Sequence, residues 1–316
     1  MADLKSWNLW HGCHKYSEGC ENCYMYYLDE VRGVPERASV IRKTGDFDKP
    51  LKKDRYGRYK IPSGYCLRIN MTSDTFLEEA DKWRDEMWRM IRIRRDVRFY
   101  ILTKRVPRIA DCLPEDWGEG YENVELNISI ENQRAFDERW AIFKEIPAKH
   151  KGFNLAPLLG AIDITPALAS GQIESVCVGG EGFGGKRPCR YEWVKQLSDD
   201  CLRYNVNFTF NSTGAVFIKD RKCYHIELQQ TQAQQAYLSG LSHFHGSPEF
   251  KLYHPLYGSL LTADELMKPV YNAERCILCS NFNTCIGCVD CGSCKQVRLV
   301  SYDEILQIRK DKDILR

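Results

Sequence analysis

Cys13, Cys20 and Cys23 lie within "HGCHKYSEGCENCYMYY", six residues separating the first two and two the last two. In a reducing compartment, thiolates grouped this closely are metal ligands rather than disulfides. Two kinds of centre suit them. A closed zinc site takes four ligands, and His14 is the nearby fourth, although it adjoins Cys13 and would strain to share one ion with it. A [4Fe–4S] cluster held by three thiolates leaves one iron without a protein ligand. Such an open iron can chelate the amino and carboxylate groups of S-adenosylmethionine. An electron passed through the cluster then cleaves the sulfonium and releases a 5′-deoxyadenosyl radical.

A second group, "CILCSNFNTCIGCVDCGSC", holds Cys276, Cys279, Cys285, Cys288, Cys291 and Cys294. The last four, at two-residue intervals, resemble a ferredoxin-type run that holds a [4Fe–4S] cluster. Six thiolates exceed one mononuclear site. The expectation is one or two auxiliary iron–sulfur clusters, with structural zinc on two CxxC pairs as the alternative. The other six of the 15 cysteines, at 66, 112, 177, 189, 201 and 223, are scattered, and most read as small core residues.

With 316 residues the chain is long enough for one large domain and an appendage. Its 45 Lys+Arg against 43 Asp+Glu give no global pull toward nucleic acid, leaving only local basic patches. No apolar run approaches a membrane span, and "MADLKSWNLWHG" lacks the basic start and apolar stretch of a signal peptide, so a cytoplasmic protein without membrane contact is expected.

The elements that must position these groups alternate. Short β-rich runs at 6–10, 65–71, 97–103, 124–130, 152–158, 175–180 and 205–210 read as buried parallel strands. Helices are expected at 76–95, with Thr72, Ser73 and Asp74 as N-cap types before it, and at 132–146 and 191–205. Alternation through roughly two hundred residues points to an α/β fold, a TIM-like partial barrel or a doubly wound sheet. In both, functional groups gather at the C-terminal ends of the strands. The boundary expected is 1–225 for the barrel and 226–316 for a cysteine-rich domain. The basic stretch "DKPLKKDRYGRYKIPSG" (48–64) reads first as a solvated loop, and second as a substrate-facing flap with Lys52, Lys53, Arg55 and Arg58 on phosphates.

The spacing of the first three cysteines departs from the usual radical S-adenosylmethionine signature, which has three residues between the first pair. The neighbouring motifs "WNLWHGCHKYSEGCENCY", "YILTKR", "NISIENQ", "LAPLLGAID" and "VGGEGFGGKRP" nevertheless resemble, in order, a phage-associated radical S-adenosylmethionine family distantly similar to spore photoproduct lyase. The likeness covers about residues 6–220 and implies a partial (β/α)6-type barrel. It implies that Ser73 and Asp74 bind the methionine amino group and that Lys104 or Arg105 pairs with its carboxylate. Ser129, Glu131 and Asn132 would reach the ribose hydroxyls. Pro157 and Leu158 would line the adenine, and Gly180 would allow close backbone approach. Cys276, Cys279, Cys285 and Cys288 also resemble the core of auxiliary-cluster domains in that superfamily. A reductant such as flavodoxin or ferredoxin is the implied partner.

Three functions compete. The first is modification or repair of a nucleobase or nucleic acid, drawn from the lyase-like resemblance and the basic stretch. The second is the same radical chemistry on a peptide or protein. The third is a zinc-binding interaction protein that is not an enzyme. For the substrate radical, Cys189 is the candidate hydrogen-atom donor, as a cysteine is in spore photoproduct lyase. It could instead ligate a cluster, and its plain reading is a buried thiol. The tyrosines at 24, 26 and 27 and "HFHG" (243–246) are further candidates for the mouth of the barrel.

Overall fold

The computed structural model describes residues 4–55, 59–183, 187–246, 248–255, 258–262, 271–272 and 299–300. All six cysteines of the second group lie outside these, as do Tyr56 and Arg58. Nearest to that group, Tyr271–Asn272 pairs antiparallel with Leu299–Val300.

Seven strands form one parallel sheet in sequence order: β1 (Leu4–Trp7), β2 (Cys66–Ile69), β3 (Arg98–Thr103), β4 (Val124–Ser129), β5 (His150–Leu155), β6 (Ser175–Gly179) and β7 (Asn207–Ser212). Every neighbouring pair is parallel, and β1 and β7 are the two edges, so the sheet curls into a partial barrel without closing. Helices α1 (Tyr24–Val31), α2 (Asp81–Ile93), α3 (Gln133–Phe143), α4 (Tyr191–Arg203) and α5 (Gln229–Leu238) accompany it.

The strand period of two decides what faces where. In β3, Phe99, Ile101 and Thr103 are buried, while Arg98, Tyr100 and Leu102 are half-buried. The apolar set meets the helices. Phe153 of β5, for example, packs against Phe136, Trp140 and Phe143 of α3. The other set points into the lumen and is polar: Arg68, Tyr100, Glu125, Asn127, Asn154 and Cys177 alternate with core residues along their strands.

Strand positions follow the sequence pattern, and the ends shift for local reasons. The helix expected from 76 begins at Asp81, after a 3-10 turn at Glu78–Ala80. Phe76 and Leu77 are fully buried, and the Asp74 carboxylate accepts the Phe76 N–H at 2.9 Å, so Thr72, Ser73 and Asp74 shape a turn rather than a helix cap. The last strand starts later than expected because Asn205, with φ at 58°, is held in the left-handed conformation just past α4. Trp10 and His11 leave the main sheet and pair with Arg42–Lys43.

The described part of the basic stretch lies at the N-terminal ends of the strands. The fully buried Arg94, just before β3, bonds the Pro50 carbonyl, donates to the Ile61 carbonyl at 2.6 Å and pairs with Asp96 at 2.8 Å. Gly64 N–H donates to the Asp96 carbonyl at 2.7 Å. The segment is thereby stapled at the N-terminal ends of β2 and β3. Lys52 pairs with Asp48 at 3.3 Å, and Lys53 lies over the Tyr59 ring.

Packing of the barrel continues beyond residue 225. The hairpin of β8 (Val216–Lys219) and β9 (Lys222–His225) leads into α5, whose Gln232 and Ala236 are buried against β7. His243 then bridges Phe208 at the β7 edge. Phe250 stacks on His150 at 3.9 Å with the Arg98 guanidinium 3.8 Å from its ring centre, which stoppers the lumen at the strands' N-terminal ends. No described helix is long and apolar enough to cross a membrane.

Candidate functional site

The C-terminal ends of the strands surround a cavity of about 490 Å³. Cys13, Cys20 and Cys23 line it, together with Ser73, Asp74, Lys104, Arg105, Ser129, Pro157 and Gly180. These residues come from five strand ends and the loop after β1. Glu131, Asn132, Leu158 and Cys189 do not line it.

The cysteine loop is pinned at its start. Gly12 has φ at 93°, and a Cβ there would lie 2.5 Å from the Val40 carbonyl oxygen, so only glycine fits. Gly12 N–H donates to the Thr72 carbonyl at 3.2 Å, Cys13 N–H to that of Ala38 at 2.8 Å, and the Ser73 hydroxyl to the Gly12 carbonyl at 2.5 Å. Tyr26 hydroxyl bonds the Cys13 carbonyl and Tyr24 hydroxyl that of Met71. These contacts tie the loop to the turn after β2.

Asp74 is a hub. Its carboxylate accepts from the Thr103 hydroxyl at 2.8 Å and from Lys104 N–H at 3.1 Å, and pairs with Arg105 at 3.5 Å. Arg105 stands 3.8 Å from the Cys13 sulfur and donates to the His14 carbonyl at 2.9 Å. Lys104 Nζ donates to the Ser129 hydroxyl at 2.8 Å. Burial, then Asp74, pushes the Cys13 thiol up to about 12, with Arg105 opposing. Burial also raises Cys23, with Lys104 among the groups that oppose it.

A second clamp holds the other half of the loop. Glu181 is buried after β6, and Arg187 pairs with it, donating through Nε at 3.1 Å. The same guanidinium donates to the Glu18 carbonyl at 2.9 Å and to Glu21 at 3.1 Å, while Asn22 donates to Glu181 at 3.1 Å. The glutamate sits on two turns in backbone contact. A Cβ on Gly180 would lie 2.2 Å from the Thr213 carbonyl oxygen, and Ala215 N–H donates to the Glu181 carbonyl at 2.8 Å.

The remaining expected residues lie outside the cavity lining and make other contacts. Glu131 is buried in a two-pronged pair with Arg139, at 2.7 and 3.0 Å. Asn132 caps α3 by accepting Ala135 N–H at 2.9 Å. Leu158 is a core residue. Cys189 is buried beside Phe217 in a two-residue strand, and burial pushes its thiol up to about 12. His14 turns its ring to Glu79 at 2.7 Å on the surface rather than toward the cysteines. His243 bonds the Ser198 carbonyl and His245 at the β7 edge.

Sequence reasoning missed Arg68, Asn70, Asn154, Glu181, Phe183 and Gln229, all of which line the cavity. For Arg68 and Asn154 the available signal was their polarity within otherwise apolar strand runs, as in "CLRI" and "FNLA".

The donor chemistry suits ligation by three thiolates. Cys13, Cys20 and Cys23 are free, partly exposed, share one cavity and have Arg105 and Lys104 close by. Among the described residues, no three His, Cys, Asp or Glu side chains stand close enough together to hold a metal ion, so the fit lies in the donors and the space they share. No curated protein and no solved structure matches the chain. One family model does, over residues 3–246, and the chain therefore belongs to the family described as protein of unknown function DUF5131.

Proposed function

We propose that the protein is a radical S-adenosylmethionine enzyme acting on a nucleobase. One observation carries the reading. Three cysteines from one loop share a cavity with Ser73, Lys104, Arg105 and Ser129 at the C-terminal ends of parallel strands. A volume of about 490 Å³ is within the range of cofactor and substrate pockets.

When bound, a [4Fe–4S] cluster with S-adenosylmethionine on its open iron would supply reductive cleavage to a 5′-deoxyadenosyl radical. Cys13, Cys20 and Cys23 would be its ligands. Lys104 and Arg105 offset thiolate charge at Cys23 and Cys13, and one of them would face the methionine carboxylate. Ser73 donates its hydroxyl proton to the Gly12 carbonyl, which orients the loop and leaves the oxygen's lone pairs to accept from the methionine amino group. Asp74 holds Thr103, Lys104 and Arg105 in register. A flavodoxin or ferredoxin would supply the electron, and the cysteines at 276–294 would hold auxiliary iron–sulfur.

The test is anaerobic reconstitution, metal counts and detection of 5′-deoxyadenosine after S-adenosylmethionine and dithionite. Expected are iron and sulfide beyond one cluster and deoxyadenosine, the latter lost in Cys20→Ala. Zinc without iron, and no deoxyadenosine, overturns the reading and leaves a zinc-bound interaction protein.

A further inference from the structure

Below the cysteines, the floor of the cavity contains a cation and an acceptor that have no ion-pair or hydrogen-bond partner among the described residues. Arg68, on β2, lines the cavity with its guanidinium 5.3 Å from the Tyr100 ring centre. Burial keeps the neighbouring Tyr24, Tyr100, Cys66 and Cys177 protonated at pH 7, the two thiols pushed up to about 11, and the lumen carboxylate Glu125 pairs with Arg98 at 3.8 Å. The two acids of the cavity are engaged elsewhere, Asp74 with Arg105 and Glu181 with Arg187. Asn154, on β5, is 7% exposed, and its carboxamide contacts Tyr100 while its Oδ1 is buried without a partner among the described residues. A buried acceptor left unmatched costs stability unless a ligand matches it.

We propose that Arg68 and Asn154 together read a lactam edge, a ring carbonyl beside a ring N–H, as carried by guanine, uracil and thymine. Arg68 donates to the carbonyl and Asn154 Oδ1 accepts the N–H. An anion alone leaves Asn154 unmatched. A trans peptide group presents its carbonyl and N–H on opposite sides, so two groups joined through one tyrosine do not meet both. Phe183 and Tyr24, with ring centres 6.0 Å apart, form an aromatic wall of the same cavity for the base's face. The assignment rests on the radical reading above, because that reading gives the cysteine end of the cavity to the cofactor and the floor to the substrate.

The test uses the full chain without added metal, since nucleoside binding needs no iron and so fails or succeeds apart from the cluster. Guanosine and uridine are expected to bind in equilibrium dialysis. N1-methylguanosine, N3-methyluridine and adenosine should bind at least about tenfold more weakly. Arg68→Met and Asn154→Leu should each weaken guanosine and uridine by about ten- to a hundredfold, and the methylated bases on wild type decide the matter if either variant fails to fold. A single-stranded pentanucleotide carrying the same base distinguishes a polymer from a free nucleoside, and binding of either form supports the lactam edge. Equal binding of the methylated bases overturns the proposal. So does equal binding of adenosine, which would assign the edge to the cofactor's own adenine, and so does no binding of any of these probes.

Discussion

Lys104 acts on the cysteine loop through its charge, as one of the groups that oppose the burial-driven rise at Cys23. Replacing it by methionine removes that field and keeps the bulk. In the metal-free protein, alkylation of Cys23 at pH 8 should slow by about two- to tenfold, followed by mass spectrometry of the labelled peptide. Glu131 and Arg139 make the opposite kind of contact, a buried pair behind the cysteine loop that does not itself line the cavity. Arg139→Met removes the carboxylate's ion-pair partner and should cost about 3–5 kcal/mol in denaturant unfolding. The pair holds the Glu131 carboxyl below 4.5. In wild type its contribution is present above about pH 4.5 and lost as pH falls through the lowered value, and the variant should lack that part of the acid slope. Types and spacing made the three cysteines legible from sequence. Glu131 and Asn132 were not separable there from the cavity residues. A strand-end acid facing the lumen and one turned toward a helix arginine look alike until Arg139 is seen opposite.

Within the elements, the two glycine turns after β6 and β7 position the Glu181 clamp. Gly180→Ala puts a methyl carbon against the Thr213 carbonyl and should destabilise by about 1–3 kcal/mol. Arg187→Gln breaks the clamp without disturbing the turns. Amide hydrogen exchange should accelerate selectively at Glu21 and Cys23, whose N–H groups donate to the Glu18 and Cys20 carbonyls, while the strands stay protected. Unchanged exchange there would show that the loop holds itself. The strands themselves were readable because each is a short apolar run with a period of two. Their ends were not, because Asn205 and the buried Phe76–Leu77 pair fix them by tertiary packing and a left-handed residue. The clamp was equally hidden, since Arg187 and Glu18 lie 169 residues apart in sequence.

As a whole molecule, the barrel depends on chain that the sequence pattern assigned to a second domain. "QQTQAQQAYL" has no apolar stripe to mark it as a packing helix, yet its Ala236 is fully buried and Leu252 beyond it nearly so. A chain ending at residue 225 exposes the β7 edge and should aggregate or melt well below a chain ending at 262, as thermal unfolding and light scattering would show. Alkali gives a second whole-molecule readout. Cys189 and Cys201, pushed up to about 12 by burial, favour the protonated form in the fold. Their contribution is complete below about pH 9 and lost as pH rises toward 12. Lys151, pushed down to about 8 by burial, acts oppositely between about 8 and 10.5. Stability should therefore fall most steeply above pH 10.5, where the Lys151 effect is spent and the buried tyrosines Tyr24 and Tyr100, also raised by burial, add to the thiol effect.

Phe250 closes the base of the lumen between His150 and Arg98. A vessel stoppered at one end has a loading order. Whatever settles against Arg68 and Asn154 has to arrive before a second guest occupies the rim of cysteines, and has to depart after it. Two ligands sharing this well would show compulsory-order kinetics, and an excess of the outer one would trap the inner one or shut it out.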